Sequence, residues 1–251
     1  SYSRGFKSGI FNLFGGPIPP VDPEILDAYE VGFKSEFADG RVRLNGAAYY
    51  YEYDDLQLSY QIEGAAVVIN AANAEIKGVD LELLAALTDK IELNANIAWN
   101  DSEFIDFPIA EITTRRGDGN CPSNNPTPNC SAVGNAKGNT LPRAPELTSS
   151  IGLSYETHLE AASIGGHITY YYNDGFYNDF ANRENYKQSS YSLVNGGAFV
   201  EFGDTREWRV SAYFRNLTDE EYYVYGTATA LGDYIAPAFG RQYGLAIDYS
   251  F

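Results

Sequence analysis

The chain has 251 residues, with 17 Lys or Arg against 34 Asp or Glu, a formal net charge of −17. That balance argues against nucleic-acid binding, which needs a basic face; the acidic excess reads as loop solvation or as attraction for a cationic ligand. Mean hydropathy is −0.31 and no apolar run reaches about 18 residues, so a helical membrane protein is excluded. Aromatics make up 15% of the chain, led by 21 tyrosines beside 24 glycines, a mixture suited to strands, turns and aromatic girdles. The sequence contains no methionine and no signal peptide, which marks it as a processed chain or a fragment.

Taken in order, the chain predicts about ten strands, beginning with a partial one from Tyr2 to Phe6. The following loop, with Phe11 and Phe14, is too apolar for an ordinary exposed loop and suits a lid over a mouth or a partner contact. Strict alternation follows, with Tyr29, Val31, Phe33 and Phe37 on one face and Glu30, Gly32, Lys34 and Glu36 on the other. After Asp39 and Gly40, the row Val42, Leu44, Gly46, Ala48 and Tyr50 opposes Arg41, Arg43 and Asn45. Val79, Leu81, Leu83 and Ala85 form the next row, then Ile91, Leu93, Ala95, Ile97 and Trp99.

Later segments repeat the scheme. Cys121 and Cys130 stand close together in a Pro/Asn-rich loop, which predicts a disulfide in an oxidising compartment and no metal site. Leu147, Ile151, Leu153 and Tyr155 are answered by Ala162, Ile164, Ile168, Tyr170 and Tyr172. Val194, Ala198, Val200 and Phe202 lead to Trp208, Val210, Ala212 and Phe214. The last strand carries Tyr243, Leu245, Ile247, Tyr249 and Phe251 against Gln242, Gly244, Ala246, Asp248 and Ser250.

Alternation also occurs in soluble sandwiches and does not decide alone; connection lengths help more. Tight turns near residues 38–40, 88–90, 156–160 and 203–207 switch with long segments near 7–26, 61–70, 104–145, 174–188 and 217–238. Short turns at one end and long loops at the other are the habit of outer-membrane barrels. Charged side chains keep to the non-apolar face, as they must where Arg or Lys in mid-bilayer costs about 2–4 kcal/mol. The expected fold is an all-β, transmembrane, antiparallel up-and-down β-barrel.

Several segments resemble one family, the TonB-dependent outer-membrane receptors. Ser1 to Asn12, SYSRGFKSGIFN, is similar to that family's TYSRGFKSGGFN-type segment. Pro23 and Glu24, then Tyr29-Glu30-Val31-Gly32-Phe33-Lys34, resemble its YEVGFK strand. Asn70 to Glu82 resembles an N-A-x-x-A hairpin ending in G-x-E. Asn216-Leu217-Thr218-Asp219 with Tyr222 resembles the N-L-F-D-x-x-Y signature, with Thr218 in place of Phe. The resemblance implies that residues 1–251 are the C-terminal part of a 22-stranded barrel, with the plug domain and N-terminal strands lying elsewhere. It also implies bacterial outer-membrane location, uptake of a scarce ligand such as an iron–siderophore complex, and energy from TonB acting through the plug.

Partners expected on that basis are the N-terminal barrel half and plug, TonB, outer-membrane lipid and a surface lipoprotein, with no nucleic acid, cofactor or metal. Two rival readings remain at this point, a self-contained ten-stranded surface hydrolase and a structural barrel that serves for docking. No catalytic set is convincing. Candidate ligand-binding residues are Tyr172, Asn173, Asp174, Tyr177, Asn178 and Asp179, whose aromatic planes, amides and carboxylates suit a flat ligand. Phe11 and Phe14 join them from the first loop. Arg43, Arg209, Arg215 and Arg241 are expected in the lumen, where they would guide an anion, pair with carboxylates or meet the plug.

Overall fold

The computed structural model describes residues 1–12, 20–62, 65–119 and 121–250. Its strands in chain order are β1 (Tyr2–Lys7), β2 (Glu24–Phe37), β3 (Val42–Ile62), β4 (Ala65–Ala86), β5 (Ile91–Asp106), β6 (Ala110–Arg115) and β7 (Asn129–Gly134). They continue as β8 (Leu147–His158), β9 (Ala162–Tyr177), β10 (Lys187–Phe202), β11 (Trp208–Arg215), β12 (Tyr223–Thr229), β13 (Gly232–Pro237) and β14 (Gln242–Tyr249). Ten of them form one antiparallel sheet in the order β1-β2-β3-β4-β5-β8-β9-β10-β11-β14. β6–β7 and β12–β13 are separate hairpins set into the long connections.

The tight turns have local causes. Ala38, Asp39 and Gly40 all take positive φ, a run that an Asp-Gly pair eases. Thr88 Oγ1 accepts from the backbone N–H groups of Lys90 and Ile91 at 3.1 and 3.0 Å. Glu207 Oε2 accepts from Thr205 N–H at 2.9 Å and from its hydroxyl at 3.1 Å.

Register carries the apolar rows continuously across the sheet. Tyr249, Trp208 and Phe202 align at the turn end, while Val31, Ala48, Val79 and Trp99 align farther up. On this face Tyr2, Tyr29 and Tyr50 form a ring-to-ring belt with centroids 5.1 and 6.3 Å apart. Trp208 and Tyr249, 4.7 Å apart, belong to the opposite belt. From Tyr29 to Phe37 the strand runs about 26 Å, which a tilt near 40° shortens to about 20 Å across the membrane, most of an apolar band about 25 Å tall. The apolar face first carries ion pairs level with the tyrosine belt or above it, Arg4–Asp27 at 3.4 Å and Lys77–Asp101 at 2.9 Å.

The core lies where the upper ends of β4 and β5 meet the loops, rather than between sheets. Phe104, Phe107 and Phe180 contact one another with centroids 5.0, 5.9 and 5.3 Å apart. Ala71, Ala72, Ala74, Ala110 and Ala136 are buried around them. Among the described residues the wall has no second layer, and its apolar face stays exposed; Leu245 is 81% accessible.

Two loop expectations change. Residues 61–70 are largely strand, because β3 and β4 pair well above the belt. Small and β-branched residues such as Val67, Val68, Ile69 and Ala71 keep that ladder going. Segments 104–145 and 217–238 fold into the β6–β7 and β12–β13 hairpins rather than open loops. The predicted disulfide is formed between Cys121 and Cys130 and closes the connection from β6 to β7.

Candidate ligand vestibule on the polar face

The polar face bears a tyrosine ladder where β3 rises toward the loops. Tyr50 belongs to the apolar row, so Tyr49, Tyr51 and Tyr53 must point the other way. Tyr49 and Tyr51 stack with centroids 4.9 Å apart and planes at 23°. The ring of Tyr49 lies across Gly78 of β4, a position where a Cβ would overlap it. Glycine there lets the aromatic ring lie against the wall.

Opposite the ladder stands a turn of Leu141, Pro142, Arg143 and Ala144. Ala144 N–H donates to Leu141 O at 3.3 Å, and Arg143 N–H donates to Tyr177 O at 2.8 Å. Arg143 has φ 60°, in the left-handed region usually filled at that turn position by Gly or Asn. Its guanidinium lies 4.6 Å from the Tyr225 ring centroid on β12.

Ladder and turn share a cavity of about 500 Å3, lined also by Ile76, Asp80, Asn100 and Thr148. Below it a larger cavity of about 920 Å3 is lined by Glu30, Lys34, Asn45, Asp80, Glu82 and Tyr171, among others. Asp80, Ala98 and Thr148 line both, so the upper site opens onto the lower one. A second tyrosine group stands farther along this face, with Tyr191 and Tyr222 stacked at 4.5 Å and Tyr171 at 6.1 Å.

The residues singled out in the sequence are dispersed. Tyr172 points to the apolar side, as its cross-strand partners Ser149 and Ser192 require. Asn173 is buried, giving Nδ2 to the Tyr171 hydroxyl at 3.1 Å and receiving Gly175 N–H at 2.8 Å. Asp174 accepts from Leu147 N–H at 2.8 Å. Tyr177 donates to Glu184 at 2.9 Å, and Asp179 pairs with Arg183. Asn178 joins the Tyr186 carbonyl at 2.8 Å to Gly226 N–H at 3.2 Å. Phe11 is 77% accessible; Phe14 lies outside the described residues.

The cations divide as well. Arg43 pairs with Glu36 at 3.1 Å on the polar face. Arg209 pairs with Glu201 at 2.6 Å while lying 3.8 Å over the Phe199 ring. Arg215 stands 5.6 Å from the ring of Tyr213. Arg241 does not join this group. It precedes β14, donates to Leu217 O at 3.3 Å and approaches Tyr243, a member of the apolar row.

Tyr49, Tyr51, Tyr53 and Arg143 were not picked out in the sequence. The first three were legible by parity once Tyr50 was assigned outward. Arg143 gave only a Pro-Arg turn signal.

An antiparallel wall with one belted apolar face, one polar face, short turns and folded loops defines an outer-membrane β-barrel protein. Residues 1–217 match the family model described as TonB dependent receptor-like, beta-barrel, and the chain belongs to that family, one of transport receptors rather than enzymes. The surface-hydrolase reading falls with this. The probable TonB-dependent siderophore receptor PiuA of Acinetobacter baumannii is 24% identical over 231 residues, covering 92% of this chain and 28% of that protein. The ferric-pyoverdine 358 receptor of Pseudomonas putida is 41% identical over 69 residues, 26% of this chain and 8% of that protein. The ferric yersiniabactin uptake receptor FyuA of Yersinia pestis superimposes with a TM-score of 0.76 at 20% identity, covering 100% of this chain and 34% of that one. The chain thus spans 28% and 34% of the length of PiuA and FyuA.

Proposed function

We propose that this chain is the C-terminal part of the wall of a TonB-dependent receptor that imports an iron–siderophore complex. The observation that carries the reading is the vestibule, where stacked tyrosines and Arg143 open into a wider polar cavity. Rings and a planar cation suit an organic chelate, which presents flat ligand groups and anionic oxygens around its metal. The local likeness to a ferric-pyoverdine receptor supports the same class of cargo. Tyr177 and Phe11 would widen the contact surface at the rim.

The remaining wall strands would pair with β1 and β14, each of which has a sheet neighbour on one side only among the described residues. An unpaired backbone edge in lipid costs several kcal/mol per group, so pairing is strongly favoured. A plug would fill the lumen and transmit the pull of TonB. Arg43, Arg209 and Arg215, already held by acids or rings of the wall, would line its path.

Uptake of radiolabelled ferric siderophores by iron-starved cells tests this. Deleting the receptor should abolish uptake of at least one such complex, and loss of TonB should reproduce the defect. Unchanged iron uptake across a siderophore panel, with loss of some iron-free cargo, would refute the iron reading.

A further inference from the structure

We propose that Arg143 is a specificity-determining residue of this vestibule, receiving an anionic oxygen carried on an aromatic ring of the cargo. The proposal rests on the transport reading above and narrows it to cargo with phenolate, catecholate or aryl-carboxylate groups.

The backbone gives the first reason. Eight described non-glycine residues have positive φ, and five of them are Asp or Asn, namely Asp39, Asp55, Asn182, Asn216 and Asp219. Those types tolerate the left-handed region through local hydrogen bonds. Ala38 and Arg206 occupy the short turns at the far end of the wall. Arg143 alone among the eight lines the cavity of the tyrosine ladder. Glycine would relieve its strain, so what arginine adds at this position is its side chain.

The surroundings say what that side chain can do. Among the described residues Arg143 forms no ion pair with a carboxylate, in contrast to Arg43, Arg183 and Arg209. One face of its guanidinium is against Tyr225. Stacking occupies the face of the plane and leaves the N–H groups in that plane free to donate. They can receive two oxygens of one planar group. Across the same cavity Tyr49, Tyr51 and Tyr53 offer ring faces and hydroxyls to the ring that carries those oxygens. Among the described residues, Asp80 is the one acid lining the site and Arg143 the one base.

The structural alternative is that Arg143 only braces the β12–β13 hairpin through Tyr225. Two substitutions separate the roles. Arg143→Gly removes the side chain and relieves the backbone, while Arg143→Lys keeps the charge without the planar fork. Equilibrium binding to the purified full-length receptor would use three probes: a ferric catecholate complex, the same catecholate without metal, and an aryl-free ferric trihydroxamate.

For Arg143→Gly we expect at least about tenfold weaker binding of the ferric catecholate, as fits loss of a charge-assisted bidentate contact. Arg143→Lys should fall between this and the parent. Trihydroxamate binding should change less than about twofold on the same basis, with a melting temperature equal to or above the parent's. Equal weakening of both ferric classes with a lowered melting temperature would assign Arg143 to bracing and overturn the proposal. Unchanged catecholate binding would overturn it too, leaving iron transport standing. If the receptor bound the metal-free catecholate through Arg143 but no ferric complex, the iron reading would fail and the role of Arg143 would survive. Binding of no catecholate in either form would end the proposal.

Discussion

Arg115 and Asp233 are 118 residues apart in sequence, and Arg115 Nε donates to Asp233 Oδ2 at 2.6 Å. The other carboxylate oxygen accepts from the Tyr186 hydroxyl and from Asn129 Nδ2, the latter at 2.9 Å. One carboxylate therefore ties the β6–β7 hairpin, the 3-10 turn Glu184–Tyr186 and the β12–β13 hairpin together. Burial alone would raise the Asp233 carboxyl, but its hydrogen bonds from Tyr186, Asn129 and Arg115 outweigh this and hold it below the ordinary value.

A depressed carboxyl stabilises the loop assembly fully above the ordinary Asp range, and that contribution is lost as pH falls through the folded value. Loop cleavage by an acid-tolerant protease should therefore rise toward strongly acidic pH in the parent. Asp233→Asn should loosen the loops already at neutral pH, by about 1–2 kcal/mol, and flatten the acid dependence. A parent and variant with the same profile would remove Asp233 from this role.

The Cys121–Cys130 disulfide closes a short loop whose second cysteine adjoins Asn129. In the chain-entropy treatment such a closure contributes roughly 2.5–3 kcal/mol. Mass spectrometry should find the two cysteines joined. Cys121→Ser with Cys130→Ser should speed tryptic cleavage near Arg115 and Arg116 while leaving the protease resistance of the wall unchanged.

Phe104 is 2% accessible at the centre of the loop core. Phe104→Ala should cost about 3–5 kcal/mol, confined to the loops and the upper ends of β4 and β5 that they cover. Hydrogen exchange should accelerate in residues 104–115 and near Phe180, with protection of β10, β11 and β14 retained. Uniform acceleration through the wall would show that loops and wall unfold as one unit.

Gly78 carries the Tyr49 ring, and a Cβ there would also stand 2.5 Å from the Trp99 carbonyl oxygen. Gly78→Ala should cost about 1–3 kcal/mol through overpacking. It should also displace Tyr49 and weaken cargo binding, even though Gly78 lies in the wall rather than at the mouth. Binding equal to the parent's would show that the ladder does not touch the cargo.

The wall was legible because period-2 alternation is imposed by two different solvents, apolar on one side and aqueous on the other. Strand order and the short turns followed from it, while the disulfide was legible from the closeness of Cys121 and Cys130 in a Pro/Asn-rich loop. The upper reaches were less legible, since above the belt that contrast ends and a strand such as β4 no longer announces where it stops. The candidate site suffered for a related reason. Asn173, Asp174 and Asn178 look like ligand groups in sequence, but the Asn173 and Asn178 amides and one Asp174 oxygen are engaged by backbone and neighbouring side chains, and the other Asp174 oxygen is buried. Arg143 depends on contacts with Tyr177 and Tyr225, which no local pattern around it records.

The most direct test of the membrane-wall assignment is accessibility of adjacent positions on β14 in the outer membrane. Leu245→Cys should react with a lipid-phase probe and resist a membrane-impermeant thiol reagent, while Ala246→Cys should escape the lipid-phase probe. Equal labelling of both positions by the lipid-phase probe would contradict a wall with one face in lipid and the other in the lumen.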